Sequence, residues 1–311
     1  MAISVSQANA VSKAVYDKTI TQQSYDDSFF FKKLKKNDSV IEAGGNDIRY
    51  PVRYKKLDRS QDVDWNDQES FEAVDTRTSA VLDWMPYRGR TLITWEERSK
   101  NQAGPQQIVK LVEDKSKELA QDMVDYLSTD LFASSSVSGK IIPLSTIVDG
   151  ADTYAGITVS DASNWAAIED SSSTQLTRAL LNTNLASATF GQNAPNAHIT
   201  TRALLGAYDN LIGASERWHD EETANMGFPH LTLYLKPVMG DAFQQSTYWY
   251  GLDMSSFELW VMKGNNMATS EWKELFQAGF PDSMAKVCKM VCNLVCRRRK
   301  TNFKLSALTG T

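Results

Sequence analysis

Residues 104–131 read GPQQIVKLVEDKSKELAQDMVDYLSTDL, and this stretch gives the clearest secondary-structure pattern in the chain. Gly104 and Pro105 are typical of a helix start, because proline is tolerated at the first helical position. The pattern predicts an amphipathic surface helix of roughly 25 residues, about 40 Å long at about 1.5 Å per residue. Its apolar face recurs every three or four positions, at Ile108, Leu111, Val112, Leu119, Met123, Leu127 and Leu131.

Two β-rich segments precede this helix. Apolar and polar residues alternate from 47 to 54, which predicts a strand; Pro51 puts it at a sheet edge or a bulge, because proline cannot donate to the ladder. A second run, 88–95, is spaced to pair with the first. The intervening residues 57–87 are too polar to form a core and too long for an ordinary turn, so we expect them to project.

The projecting segment carries charge of one sign near its tip. Residues 57–75 contain seven acidic residues and one basic residue, Arg59. Trp65 and Phe71 add aromatic surface, which is enriched in protein interfaces. We therefore predict that the segment contacts a neighbouring subunit, and a solvated acidic loop is the alternative. The candidate contacts are Asp58, Asp62, Asp64, Trp65, Asp67, Glu69, Phe71 and Glu72.

Residues 1–45 form a polar arm with scattered aromatic residues, and we expect the arm to order against another surface. The arm starts without the pattern of a secretory signal, which predicts residence in a cytoplasm. A short positive patch near its end predicts contact with a polyanion, and a solvated turn is the alternative. The patch consists of Lys32, Lys33, Lys35 and Lys36.

The chain beyond residue 134 switches between short strands and helices, which predicts the α+β class. Residues 287–296 alternate as a strand with Asn293 on its polar side. The apolar side contains Cys288, Met290, Cys292, Leu294 and Cys296. Buried structural cysteines are favoured over a metal site, because the spacing is not that of a zinc ligand set. The other predictions are a helix 174–185 capped by Thr174, a strand 197–200, a helix 201–212, a strand 257–262, and a hairpin of 287–296 with 303–308.

The sequence lacks the signatures of common catalytic sites. It has 311 residues, a net charge of −5 and no long hydrophobic stretch, which argue against a membrane span and against a protein that coats nucleic acid over its whole surface. It contains neither a phosphate-binding loop nor a nucleophile elbow. His198, His219 and His230 form no metal-binding frame, and the acidic residues after His219 are typical of a solvated turn. We predict no catalytic residue, no metal and no cofactor; a hydrolase using carboxylates is the alternative.

Four local motifs resemble segments of one structural family. They are Tyr154 to Ile157 followed by Asn164-Trp165, Pro195 to Ile199 before a helix, Lys236 to Asp241 followed by Gly251 to Asp253, and Asn293-Leu294 leading into Arg297 to Arg299. In this order, with the polar arm, the projecting hairpin and the long helix, the chain resembles the major capsid protein of tailed bacteriophages, which has the Hong Kong 97 coat fold. The resemblance covers nearly the whole chain.

This resemblance implies a Hong Kong 97-type capsid fold of the α+β class. Its parts would be an N-arm at 1–45, an E-loop with flanking strands at 46–100, the spine helix of a peripheral domain at 101–133, a mainly axial domain at 134–255, and returning strands of both domains at 256–311. It also implies a structural, non-enzymatic subunit that self-assembles into pentamers and hexamers of an icosahedral phage head around double-stranded DNA. An encapsulin-like nanocompartment shell enclosing protein cargo shares the fold and is the alternative.

The implied location is the virion capsid, assembled in the host bacterial cytoplasm. The implied partners are other copies of the chain, non-specifically packaged DNA, and scaffold, portal and decoration proteins, with no membrane. The resemblance implies that Lys32, Lys33, Lys35 and Lys36 contact the interior DNA or a scaffold protein. We expect the acidic E-loop to lie over positive surface of an adjacent subunit. Because their charge is opposite to that of the E-loop, we expect its partners to be Arg297, Arg298, Arg299 and Lys300. Some relatives form a lysine–asparagine crosslink; Lys55 and Lys56 lie in the E-loop region, but we predict no crosslink here.

Overall fold

The computed structural model describes residues 29–53, 75–100, 105–160, 162–172, 174–212, 231–275 and 283–309. Its helices are α1 Phe29–Lys36, α2 Trp95–Lys100, α3 Pro105–Leu131, α4 Leu144–Ile147, α5 Arg178–Ala188 and α6 Arg202–Leu211. Its strands are β1 Val40–Ala43, β2 Ile48–Arg53, β3 Arg77–Leu82, β4 Met85–Ile93, β5 Ile168–Asp170, β6 Ala197–Thr200, β7 Leu231–Leu233, β8 Lys236–Gly240, β9 Trp249–Leu252, β10 Phe257–Met262, β11 Ala268–Thr269, β12 Lys273–Glu274, β13 Met284–Cys296 and β14 Phe303–Leu305. The predicted α+β class is confirmed.

The long helix predicted from the apolar periodicity is α3, which has 27 residues. Its inward residues pack on β4, where Gly89 makes the close approach possible: an added Cβ would lie 2.8 Å from Leu119 Cδ1 and 2.9 Å from Met123 Sδ. Near the end of α3, Tyr87 Oη donates a hydrogen bond to Asp130 Oδ2 at 3.1 Å. The helix is therefore fixed to the sheet at several points along its length. No helix in the described part of the chain is long and apolar enough to cross a membrane.

The first six-stranded sheet is organised around β13. Strand β4 pairs with one side of β13, and β10, β11 and β12 pair with the other; β1 runs parallel to β10. The alternation predicted for β13 is confirmed, because all five residues of its apolar face are fully buried. Asn293 was predicted on a polar face, but it is also buried: its Nδ2 donates to the Asp83 carbonyl at 2.8 Å, which satisfies the amide inside the core.

The predicted pairing of residues 47–54 with residues 88–95 is wrong. Strand β2 does show the expected alternation, with Ile48, Tyr50 and Val52 buried, but it pairs with β3 in a separate two-stranded sheet. Strand β4 pairs with β13 instead. Strands β3 and β4 also occupy part of the segment that was expected to project, so only the residues between β2 and β3 are left for such a projection.

The second six-stranded sheet has the order β5-β14-β9-β6-β8-β7. The predicted C-terminal hairpin is wrong, because β14 joins this sheet between β5 and β9 while β13 belongs to the first sheet. The predicted strand 197–200 is confirmed, and so is the helix after it, which Thr201 caps. Helix α5 begins later than predicted, since its cap is Thr177 rather than Thr174.

Candidate functional site

The connection between β13 and β14 holds a buried cation, Arg299. Its side chain is 1% exposed, and its guanidinium donates to four main-chain carbonyls at 2.7 to 3.2 Å. The acceptors lie in the last turn of α4 and the loop after it, where carbonyl groups point outward without helical partners. They belong to Thr146, Ile147, Asp149 and Asp152.

The rings of Tyr154 and Trp165 enclose the same guanidinium, with centroids 5.5 and 5.9 Å from Arg299 Cζ. Arg299 was predicted to contact a neighbouring subunit, and this prediction is wrong. The side chain is enclosed within its own chain, and all of its observed hydrogen bonds are internal. Its role is to tie the loop after α4 to the crossover between the two sheets.

The other three residues of the predicted basic run lie at the surface but contact groups of their own chain. Arg297 binds both carboxylate oxygens of Glu258, at 2.6 and 2.9 Å. Arg298 donates to Asn193 Oδ1 at 2.7 Å and Ser255 Oγ at 2.8 Å. Lys300 donates to Asn164 and lies over the Phe190 ring, 5.3 Å from its centroid. Inter-subunit contact through Arg297, Arg298 and Lys300 stays a prediction, and such contact would have to compete with these internal partners.

Lys304, in β14, is a second buried cation, which the sequence analysis missed. Its Nζ lies 2.8 Å from Asp149 Oδ2 and 2.9 Å from Glu169 Oε1, and it donates to the Ser145 carbonyl at 3.1 Å. Burial acts to raise the pKa of Asp149, but hydrogen bonds from Lys304 and from two main-chain amides outweigh it and lower the pKa to about 2. A lysine in a short apolar strand at the turn to a new sheet is the only sequence signal that could have indicated this site.

The four lysines predicted to contact DNA or scaffold lie in α1. This helix is held in place by Phe29, Phe30, Phe31 and Leu34, which are buried. Lys33 is buried as well, so its prediction as an interior contact is wrong: the side chain lies on the packed face of the helix. Lys36 is exposed, and Lys32 and Lys35 are half-buried. Contact through these three lysines stays a prediction.

All eight predicted contacts of the acidic segment lie outside the described residues, as do Lys55 and Lys56. They are Asp58, Asp62, Asp64, Trp65, Asp67, Glu69, Phe71 and Glu72. His219 and His230 also lie outside them, so the inter-subunit contacts and the solvated turn after His219 stay predictions.

Buried groups in the described regions are poorly suited to neutral-pH catalysis. Burial raises the pKa of Cys292 and of Cys296 to about 12, which keeps both thiols protonated. Burial lowers the pKa of His198 to about 3, and its ring lies between Trp249 and Phe303. Among the residues with described positions, no three His, Cys, Asp or Glu side chains are grouped as a metal site would require.

A second basic group, which the sequence analysis also missed, lies on the first sheet. It consists of Arg88 and Arg90 on β4, Lys273 on β12 and Lys289 on β13, and all four are exposed. We call this group the cationic sheet face. Up to 201 positions separate its members in sequence, so only the strand register brings them together. The signal that could have found them is their position on the outward side of each alternating strand.

The architecture is similar to that of several solved capsid subunits. The similarity to the cyanophage A-1(L) capsid asymmetric unit has a TM-score of 0.63 at 14% identity and covers 88% of this chain and 90% of that chain. The similarity to the capsid of the native GTA particle has a TM-score of 0.59 at 10% identity and covers 89% of this chain and 90% of that chain. The similarity to the satellite phage P4 procapsid, including its size determination (Sid) protein, has a TM-score of 0.54 at 8% identity and covers 94% of this chain and 90% of that chain. No protein-family model and no curated protein sequence matches the chain.

These similarities establish the fold. They extend over most of both chains, because each alignment covers 88 to 94% of this chain and 90% of the known subunit. The chain has the Hong Kong 97-type capsid fold, as its sequence motifs predicted.

Proposed function

We propose that this chain is a major capsid protein, a structural subunit that assembles with other copies of itself into the shell of a tailed phage. The observation that carries the proposal is that the complete architecture, and not one sheet or one helix, matches capsid subunits over 88 to 94% of this chain. A capsid subunit acts through its surfaces. The chemistry of its interior then serves to hold those surfaces in position.

The finer form of the proposal follows the family. Copies would form pentamers and hexamers of an icosahedral head around double-stranded DNA, within a virion assembled in the host cytoplasm. Residues 1–45 would be the N-arm, 46–100 the E-loop region, 101–133 the spine helix, 134–255 mainly the axial domain and 256–311 the returning strands. DNA contact would be electrostatic and independent of sequence, and so sensitive to salt.

Rigid presentation of weak contacts is the proposed mechanism. An exposed ion pair contributes only about 0 to 1 kcal/mol, but a closed shell repeats each contact many times. The free energies of these repeated contacts add up only if every subunit presents its contacts in the same orientation. The buried cations Arg299 and Lys304 support such rigidity, since both bind the segment from Ser145 to Asp152.

Electron microscopy of the purified chain, with light scattering over a range of salt concentrations, tests the proposal. We expect uniform shells or capsomer rings whose yield falls as salt rises. Extraction of nuclease-resistant DNA from the shells would support a phage head, whereas packaged protein without DNA would support the encapsulin-like alternative. A chain that stays monomeric at every salt concentration, also when co-expressed with scaffold candidates, would contradict both.

A further inference from the structure

One histidine is buried in the second sheet without a hydrogen-bonding partner. His198 lies in β6, directly opposite Gly251 of β9 and beside Val238 of β8. Its side chain is 0% exposed, and neither Nδ1 nor Nε2 forms a hydrogen bond with a described residue. Buried polar groups without partners are rare in folded proteins, because they lose their hydrogen bonds to water. An apolar residue of similar size would avoid this cost, so the imidazole is an expensive choice at this position.

Two aromatic rings pack against the imidazole. The ring centroids of Trp249 and Phe303 lie 6.1 and 5.8 Å from that of His198. The Phe303 ring lies over Gly251, where an added Cβ would collide with it. An indole can only donate a hydrogen bond and a phenyl ring has no acceptor atom. These neighbours therefore stabilise a neutral ring by apolar contact but offer no acceptor to the second N–H that protonation would create.

Charged residues on this face of the second sheet lie at its margins. They are Asp170, at the end of β5, and Lys236, at the start of β8. Each lies two positions beyond the row of paired residues that contains His198. Asp170 already accepts hydrogen bonds from the Ser172 amide and from Asn184, and Lys236 is exposed. Neither residue is placed to balance a proton on the imidazole.

Helices α5 and α6 cover this face with apolar side chains. Their charged side chains are not buried; they are Arg178, Arg202 and Asp209. The buried titratable group is Tyr208 of α6, whose hydroxyl donates to the Thr232 carbonyl at 3.1 Å. Burial is therefore the cause that lowers the pKa of His198, from 6.5 to about 3.

A histidine of this kind couples packing to pH. The packed ring stays neutral down to about pH 3, whereas a solvated histidine takes up a proton below about pH 6.5. The opened form then binds more protons, so the contribution of the packed ring to stability is complete above pH 6.5 and is lost as the pH falls towards 3. We propose that His198 is a pH-sensitive switch: uptake of one proton releases α5 and α6 from the second sheet. The switch acts within one chain, so it does not depend on the proposed shell function.

Histidine substitution combined with hydrogen exchange tests the switch. The chain has three histidines, so His219→Gln/His230→Gln leaves His198 as its only imidazole. Hydrogen exchange of the soluble subunit, corrected for the pH dependence of the intrinsic rate, measures how often α5 and α6 open. In this variant we expect opening to increase about tenfold per pH unit between pH 6 and pH 4, while β13 in the first sheet stays protected. An equal loss of protection in β13 would indicate unfolding of the whole chain and would overturn the proposal.

The matched variant is His198→Leu, which removes the imidazole and keeps an apolar side chain in its place. Its opening should change by no more than about twofold between pH 6 and pH 4, because no histidine is left on this face of the sheet. An unchanged pH dependence in His198→Leu, or its loss in His219→Gln/His230→Gln, would overturn the proposal.

Proton NMR of His219→Gln/His230→Gln gives a test that leaves position 198 unaltered. We expect the ring protons of its single imidazole to keep the chemical shifts of a neutral ring until the protection of α5 and α6 is lost. Titration of that ring near pH 6.5 in a chain whose helices remain protected would show that protonation does not open the fold, and would overturn the switch.

Discussion

The two basic regions of this chain differ in where their charge is neutralised. From Arg297 to Lys304, basic residues follow closely in sequence, and each of them binds carbonyls, amides or carboxylates of the same chain. On the cationic sheet face the basic residues come from distant positions, and no described acidic group binds them. The comparison teaches that a dense basic run can be structural, while an exposed basic surface can be assembled by strand register alone. Four substitutions test this difference, from the largest expected effect to the smallest.

Arg299→Met should produce the largest change. It removes the donor for four buried carbonyls, and unsatisfied buried polar groups cost about 1–3 kcal/mol each before relaxation. We expect the free energy of unfolding to fall by more than about 3 kcal/mol, measured by urea denaturation of the soluble subunit. A loss below about 1 kcal/mol is what an exposed ion pair contributes. It would show that the internal hydrogen bonds of Arg299 do not stabilise the fold, which contradicts the difference drawn between the two basic regions.

Lys304→Met should have the second largest effect, and it should depend on pH. It leaves Asp149 and Glu169 without their cation, which we expect to cost about 2 kcal/mol at neutral pH. In the unmodified chain the pKa of Asp149 is about 2, below its ordinary value, so its contribution to stability is complete above pH 4 and is lost as the pH falls towards 2.

The substitution raises the pKa of Asp149 and so weakens this loss on acidification. Thermal unfolding at several pH values between 2 and 7 measures both effects. Parallel pH profiles for the two proteins would show that Lys304 does not stabilise the charged form of Asp149.

Arg297→Met is the matched control for Arg299→Met, because it alters a cation two positions away. The Arg297–Glu258 pair lies at the surface, so we expect a loss of no more than about 1 kcal/mol. The same urea titration measures it. An effect as large as that of Arg299→Met would mean that both arginines belong to one cooperative network.

Lys289→Gln should have the smallest effect on the isolated subunit and an effect of opposite sign. Removing one of two directly opposed cations relieves repulsion, so the free energy of unfolding should stay constant or rise by up to about 0.5 kcal/mol. Assembly yield should nevertheless fall if the face binds an acidic ligand. A clear loss of subunit stability would show that Lys289 has an internal partner, contrary to the comparison.

Local patterns in the sequence predicted local structure well. The alternation around Ile48, Tyr50 and Val52 indicated β2, and the apolar periodicity indicated α3, because both patterns arise from which side of one element is buried. The four motifs, taken in order, also indicated the Hong Kong 97-type fold that the structural similarities establish.

Long-range partners were harder to predict. Strand β4 was assigned to β2 because the two are close in sequence, whereas its true partner β13 lies some two hundred residues further on. Arg299 was assigned to the surface because a charged residue is rarely buried without a partner. Its partners are main-chain carbonyls about 150 positions away. Every residue has such a carbonyl, so no residue type in the sequence indicates which of them will bind the arginine.

The central position of β13 also sets the timing of folding during translation. Strand β4 has β13 as its only partner among the described strands, yet β4 leaves the ribosome long before β13 is made. At about 5–20 residues per second, the delay is about 10 to 40 s. Throughout this interval the edge of β4 lacks its partner and Arg88 lacks Lys289 beside it. A nascent chain therefore cannot complete the first sheet until translation is nearly finished.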